Sequence, residues 1–152
     1  IYELVSDLPR MGDWSPESTG GRWLAASGPT VGGRFLGRNR HGRRQWSTLA
    51  TVTTADPGRR FAFRVTAPIV PIATWEFRIY QVANSSRVEQ TWIDRRPMPI
   101  RLISTLRTGV ADRAAYNRSS MEQTLLRVKA EAEGPDSVGS RLTARPRQAP
   151  GT

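Results

Sequence analysis

The chain has no cysteine, a single histidine and a single lysine. Without thiols it forms neither disulfides nor thiolate metal sites, and with His41 alone no multi-histidine metal centre can be built. No cofactor is expected. There is no uninterrupted run of about 18 apolar residues, which excludes a transmembrane helix at the level of sequence. No secretory leader is visible either, and a cytoplasmic location is the expectation; the start at Ile1 rather than methionine reads as a shortened N-terminus. Acidic residues are scarce as well, 13 against 23 basic ones, for a net charge of +10 carried almost entirely by arginine. Such an excess brings nucleic acid and anionic membranes into consideration as partners.

What is present suffices for one domain. A chain of 152 residues, 38% hydrophobic and 24% charged, can bury a single core. Residues 1–14 place Tyr2, Leu4, Val5 and Leu8 at helical spacing, and Pro9, Gly12 and Ser15-Pro16 break the run into two short helical pieces. From Thr19 the period changes to two. Trp23, Phe35, Trp46, Thr48, Ala50 and Val52 alternate with more polar neighbours. Asp56-Pro57-Gly58 is a turn, because proline presets one backbone angle and glycine supplies the unusual one. Alternation then resumes in Phe61, Phe63 and Val65, in Trp75, Phe77 and Ile79, and in Val88, Gln90 and Trp92. About six antiparallel strands with one aromatic face are predicted.

The segment from Pro99 to Glu133 reads as one long helix, stopped by Gly134-Pro135. Ile103, Leu106, Val110, Ala114, Met121, Leu125 and Val128 recur every three or four residues and are expected to face the sheet, with Asn117 on the same stripe. Arg118 and Arg127 are expected to face solvent. Residues 134–152 show no apolar period and are expected to form a disordered tail.

Small helices, then strands, then one amphipathic helix give an α+β class with the helix packed on one face of the sheet. This order resembles the helix-grip fold of the START/Bet v 1-like (SRPBCC) superfamily, in which a curved antiparallel sheet wraps around a long C-terminal helix. More narrowly it is similar to bacterial proteins of the polyketide cyclase/dehydrase and lipid-transport type. The stretches that carry the resemblance are Tyr2-Glu3-Leu4-Val5-Ser6-Asp7-Leu8-Pro9 with Trp14-Ser15-Pro16, Val31-Gly32-Gly33-Arg34-Phe35, Ala73-Thr74-Trp75-Glu76-Phe77 and Val88-Glu89-Gln90-Thr91-Trp92. They span residues 1–133. The strand that precedes the first helix in that family has no counterpart.

The inward set Phe35, Trp46, Phe63, Trp75, Phe77 and Trp92 can either fill a solid core or line a space left by a bent sheet. The resemblance favours the space. It implies a cavity between sheet and C-terminal helix that takes a hydrophobic small molecule, lipid or polyketide-like, with Met121, Gln90 and Asn117 completing its lining and Thr48 and Asp94 as further polar groups. An enzyme of the cyclase/dehydrase kind using that cavity is the alternative reading, and no catalytic residue is assigned. His41, beside Gly42 in an arginine-rich turn, is expected to be solvated. Asp94, followed by Arg95 and Arg96, is expected to form a salt bridge or cap the next helix rather than act as a base. Arg34, Arg38 and Arg40 have the parity opposite to Phe35 and form an outward stripe. Nucleic acid is disfavoured as its partner because no exposed aromatics are interleaved for stacking. Peripheral contact with anionic lipid is a competing role. A monomer or homodimer is expected.

Overall fold

The computed structural model describes residues 1–25 and 27–142, those from 135 onward by their backbone alone. Two short helices, α1 (Tyr2–Ser6) and α2 (Met11–Trp14), are joined by a 3-10 turn at Leu8–Arg10. Six strands follow: β1 (Ser18–Trp23), β2 (Arg34–His41), β3 (Arg44–Asp56), β4 (Arg60–Thr66), β5 (Pro71–Val82) and β6 (Ser85–Asp94). Each pairs antiparallel with the next, so sheet order equals sequence order and β1 and β6 are the edges. The curved antiparallel sheet with a long C-terminal helix is the helix-grip fold.

Bulges help to bend the sheet, since an extra residue in one strand turns it against its partner. Register shifts occur between Ser18 and Gly21, Val52 and Thr54, and Val65 and Thr66. At Gly21 the absence of a side chain is required by packing: a Cβ there would lie 2.6 Å from the Phe35 ring and 2.2 Å from the Leu36 carbonyl oxygen.

The predicted single helix is two. Helix α3 (Met98–Thr108) ends at Gly109 in the left-handed conformation (φ 75°), with the Gly109 N–H donating to the Thr105 carbonyl at 2.8 Å. Helix α4 (Arg113–Leu142) begins after Asp112, whose carboxylate accepts the Ala115 N–H at 2.9 Å as an N-terminal cap. Ile103 and Leu106, expected on the buried stripe, are therefore freed from the register of α4, and both are exposed, as is Ala114. The inward face of α4 is Asn117, Ser120, Thr124 and Val128, with Met121 and Leu125 half-buried at its margin. The Thr124 hydroxyl donates to the Ser120 carbonyl of its own helix at 2.8 Å, which is how so polar a face tolerates burial. Arg118 and Arg127 lie outward as expected, and Arg127 reaches the Trp14 carbonyl at 3.4 Å. The backbone kinks at Gly134, the expected stop, and is helical again to Leu142, where irregular chain was expected. Proline fits the first turn of a helix, so Pro135 can open the continuation. The expectation for residues 143–152 lies outside the described residues.

The core fills one end of the sheet's concave face. Val5, Leu8 and Trp14 from the N-terminal helices meet Phe35, Val52, Phe61 and Phe77 from the sheet and Val128 from α4. Tyr2 packs edge-on to Phe61 with centroids 6.2 Å apart. Burying a large aromatic or aliphatic side chain contributes about 1.5–3 kcal/mol, so this cluster is a main support of the domain.

Candidate functional site

Strand register decides which inward side chains meet the core and which meet free space. Across the concave face Asn39 stands opposite Trp46, Val65 opposite Ala73, and Phe63 opposite Trp75, which in turn faces Trp92. One step further along the strands Phe61 faces Phe77, and Phe77 faces Gln90, at the core end. Beyond the tryptophans the sheet is not filled. It bounds a cavity of about 190 Å³ that α3 and the first turns of α4 close from the other side.

The walls are Trp46, Trp75 and Trp92 with Val65, Ile72 and Ala73 from the sheet, and Ile100 and Ile103 from α3. Trp75 and Trp92 are tilted neighbours with centroids 6.3 Å apart. Polar side chains make up most of the rest of the lining. Asn117 is 4% exposed. The Thr48 hydroxyl accepts the Asn39 amide at 3.1 Å. Both line the cavity.

Three guanidinium groups reach the same space, those of Arg96, Arg107 and Arg113, and the first and last are neutralised by carboxylates. Arg113 donates to Glu17 at 2.5 Å and lies over the rings of Trp46 and Tyr116 at 5.9 and 5.6 Å. Burial, reinforced by Glu17 and opposed by Arg113, holds the Tyr116 phenol above its ordinary pKa. Arg96 grips Asp94 through Nε (2.9 Å) and Nη2 (2.7 Å) and donates from Nη1 to the Ser104 hydroxyl at 2.6 Å, tying α3 to the end of β6. These hydrogen bonds from Arg96 hold the Asp94 carboxyl below its ordinary pKa, against the burial that would raise it. Asp94 is thus the ion-pair partner that the neighbouring arginines implied, not a free base.

Of the residues singled out from sequence, Trp46, Trp75, Trp92, Asn117 and Thr48 meet at the cavity. Phe35, Phe63 and Phe77 belong to the packed core, and Gln90 and Met121 do not border the cavity. The buried Gln90 Oε1 is without a hydrogen-bond partner. The space lies under α3 and the start of α4, across the break in what was expected to be one continuous C-terminal helix. His41 is not a solvated turn residue: it ends β2, its Nδ1 lies 3.2 Å from the Thr108 carbonyl, and its ring meets Tyr116 edge-on at 5.1 Å. Arg34, Arg38 and Arg40 are exposed, as their parity required.

Sequence reasoning missed Glu17, Asn39, Arg96, Arg113 and the α3 residues. Arg113 lies one turn before Asn117, so the spacing that marked Asn117 as inward marked Arg113 too. Among the described residues no group of three or more His, Asp or Glu is placed to hold a metal, and no helix is long and apolar enough to cross a membrane.

A curved sheet gripping a helix, with an apolar space between them, defines a class that comparison with known families makes specific. The chain belongs to the polyketide cyclase/dehydrase and lipid transport family, whose model matches residues 1–133. Among solved structures it is similar to a Polyketide_cyc-like protein from Corynebacterium glutamicum determined by NMR in solution. The two are 26% identical, the match covers 97% of this chain and 88% of that one, and the TM-score is 0.47. No curated protein matches.

Proposed function

We propose that this domain binds one largely apolar small molecule bearing a hydroxyl or carbonyl group in the cavity beneath α3. The observation that carries the reading is Asn117: a residue 4% exposed whose position on the cavity wall sets a polar group beside three tryptophans. An amide facing an apolar space costs about 1–3 kcal/mol if nothing bonds to it, so a ligand carrying a hydroxyl or carbonyl is the occupant that suits this wall. A dry cavity of about 150 Å³ accepts benzene. The free space of about 190 Å³ therefore suits a ring or short chain, and a longer molecule would extend past α3. Lipid-like and polyketide-like molecules both have this character, and the family's description supports either.

A second reading, a cyclase or dehydrase using the same space, is supported by the family alone. The carboxylate on the cavity wall, Glu17, is engaged by Arg113, so such an enzyme would act mainly by folding a reactive chain against the tryptophans. Mass spectrometry under native conditions on the freshly purified protein, followed by titration with an apolar fluorophore, tests binding. One molecule per chain with a change in indole emission is the expected result. Asn117→Leu should weaken ligands that carry a hydroxyl or carbonyl while sparing hydrocarbons. If no probe binds and Asn117→Leu merely stabilises the protein, the cavity is a packing defect and the reading fails. Turnover of a polyketone would favour the enzyme.

A further inference from the structure

Helix α3 turns a mixed face to the cavity and an apolar face outward. Ile100 faces the cavity, while Met98, Leu102 and Leu106, spaced one turn apart on the outer side, are 70%, 74% and 78% exposed. Ile103, between the two faces, is 57% exposed even though it borders the cavity mouth. The β4–β5 turn borders the same mouth through Ala67 and Val70, and between them Ile69 is 87% exposed, the most exposed large apolar residue among those described. Contiguous exposed apolar surface marks a contact site.

The charge around this surface indicates what covers it. From Arg95 to Ala111 the chain carries Arg95, Arg96, Arg101 and Arg107 and no acidic residue. Arg96 is consumed by Asp94, and Arg101 lies 3.6 Å from the same carboxylate. Arg95 and Arg107 have no carboxylate partner among the described residues. At about 100° per residue Arg101 borders the Met98, Leu102, Leu106 stripe, and Arg107 lies beyond its other edge at the cavity mouth, near Ile100 and Ile103. Arg44, from the β2–β3 hairpin, packs against Gly109 at the end of the helix. A short helix with an apolar outer face flanked by arginines is built to lie in the interface of an anionic bilayer, its apolar residues among the acyl chains and its guanidinium groups among the headgroups. A second copy of the chain would instead bring these arginines against one another.

We infer that α3 and the β4–β5 turn form a docking surface for anionic lipid bilayers. The inference concerns the outer side of α3 and the cavity mouth that Ile103 and Arg107 share with it, and it does not depend on which molecule the cavity holds. The β2–β3 hairpin contributes one end of the surface, through Arg44. Because the docked helix is also the roof of the cavity, insertion would set the cavity mouth against the membrane.

Sedimentation with phosphatidylcholine vesicles, with and without phosphatidylserine, tests it. Binding is expected to the phosphatidylserine-containing vesicles, weakening as salt rises. Leu102→Ser with Leu106→Ser should abolish it, and Arg107→Ala should lower partitioning by about fivefold, the share of one arginine near an anionic surface. Since these positions are exposed, the variants should keep the wild-type melting temperature. The control Leu126→Ser, 67% exposed on α4 and outside this surface, should bind as wild type. Failure to bind anionic vesicles, binding unchanged in the double variant, or a concentration-dependent dimer that the double variant disrupts would each overturn the inference, the last in favour of a second copy.

Discussion

Replacing Asp94 with asparagine keeps the shape of the side chain and removes the charge that holds Arg96. The Arg96 side chain is 9% exposed and would remain a cation. In the wild type the two Asp94 oxygens receive Arg96 Nε, Nη2 and the Arg96 main-chain N–H at 2.9, 2.7 and 3.0 Å. An amide oxygen can accept part of this set, but its NH2 group faces a guanidinium donor and offers nothing. Breaking a fully buried ion pair costs about 3–5 kcal/mol. The Asp94 side chain is 18% exposed rather than fully buried, so roughly 2–3 kcal/mol is the expected loss, near one or two hydrogen bonds to a charged group. For a domain of this length that is a fall of roughly 4–12 °C in Tm. Because Arg96 also holds Ser104, the effect should be local first. Amide exchange across α3 should accelerate more than exchange in β3 to β5. Urea melts combined with hydrogen exchange read both quantities. A loss below about 0.5 kcal/mol, the range of ordinary surface changes, with α3 exchange unaltered, would refute the claim that this ion pair clasps the roof of the cavity.

The same carboxylate sets an acid limit. Asp94 lies below its ordinary pKa, and Glu76 does too, because hydrogen bonds from Arg60 and Arg78 outweigh the burial that pushes it up. A carboxyl depressed in the folded state stabilises above its unfolded value of about 4 and loses that contribution as pH falls through the lower folded value. Stability should thus be level in this respect above about pH 5 and fall below about pH 4, less steeply in Asp94→Asn, and an identical acid slope in that variant would contradict it. Phe77→Ala, at 1% exposure in the core, should cost about 3–5 kcal/mol. Trp92→Ala, whose ring already borders free space, should cost clearly less in a denaturant melt, and equal costs would place Trp92 in solid core. Gly109→Ala should cost about 1–3 kcal/mol, since a left-handed residue without glycine is strained and the new Cβ would lie 1.9 Å from Arg44 Nη1. A neutral melting temperature would show that the break between α3 and α4 does not depend on that conformation.

Alternation along the chain was enough to place the sheet, because side chains in a strand alternate sides at every residue and only one face here is buried. Phe61, Phe63 and Val65 against Arg60 and Arg64, or Trp75 and Phe77 against Glu76 and Arg78, could be assigned to faces without knowing any partner strand. The helical region was less legible. Ile103, Leu106 and Val110 keep helical spacing across Gly109, so periodicity alone joined two helices that one left-handed residue separates. It also favoured Met121 and Leu125 over Ser120 and Thr124, although the latter are the buried pair. Small polar residues bonded to their own helix carry no hydrophobic signal.

The strand faces, the inward Asn117 and the Asp94 salt bridge follow from the sequence itself, because they depend on local period and on neighbouring charges. The division of the aromatic face is different. Phe63 and Trp75 are direct cross-strand partners on one side of the sheet, yet Phe63 is packed in the core and Trp75 borders the cavity. His41 reads as a turn residue until Thr108 and Tyr116 arrive from the far end of the chain. Whether an inward side chain meets core, free space or a helix end depends on how far along its strand it stands and on which distant element crosses there. Sequence period determines only the face; the register of six strands and the break that swings α3 away from α4 decided what each inward residue touches.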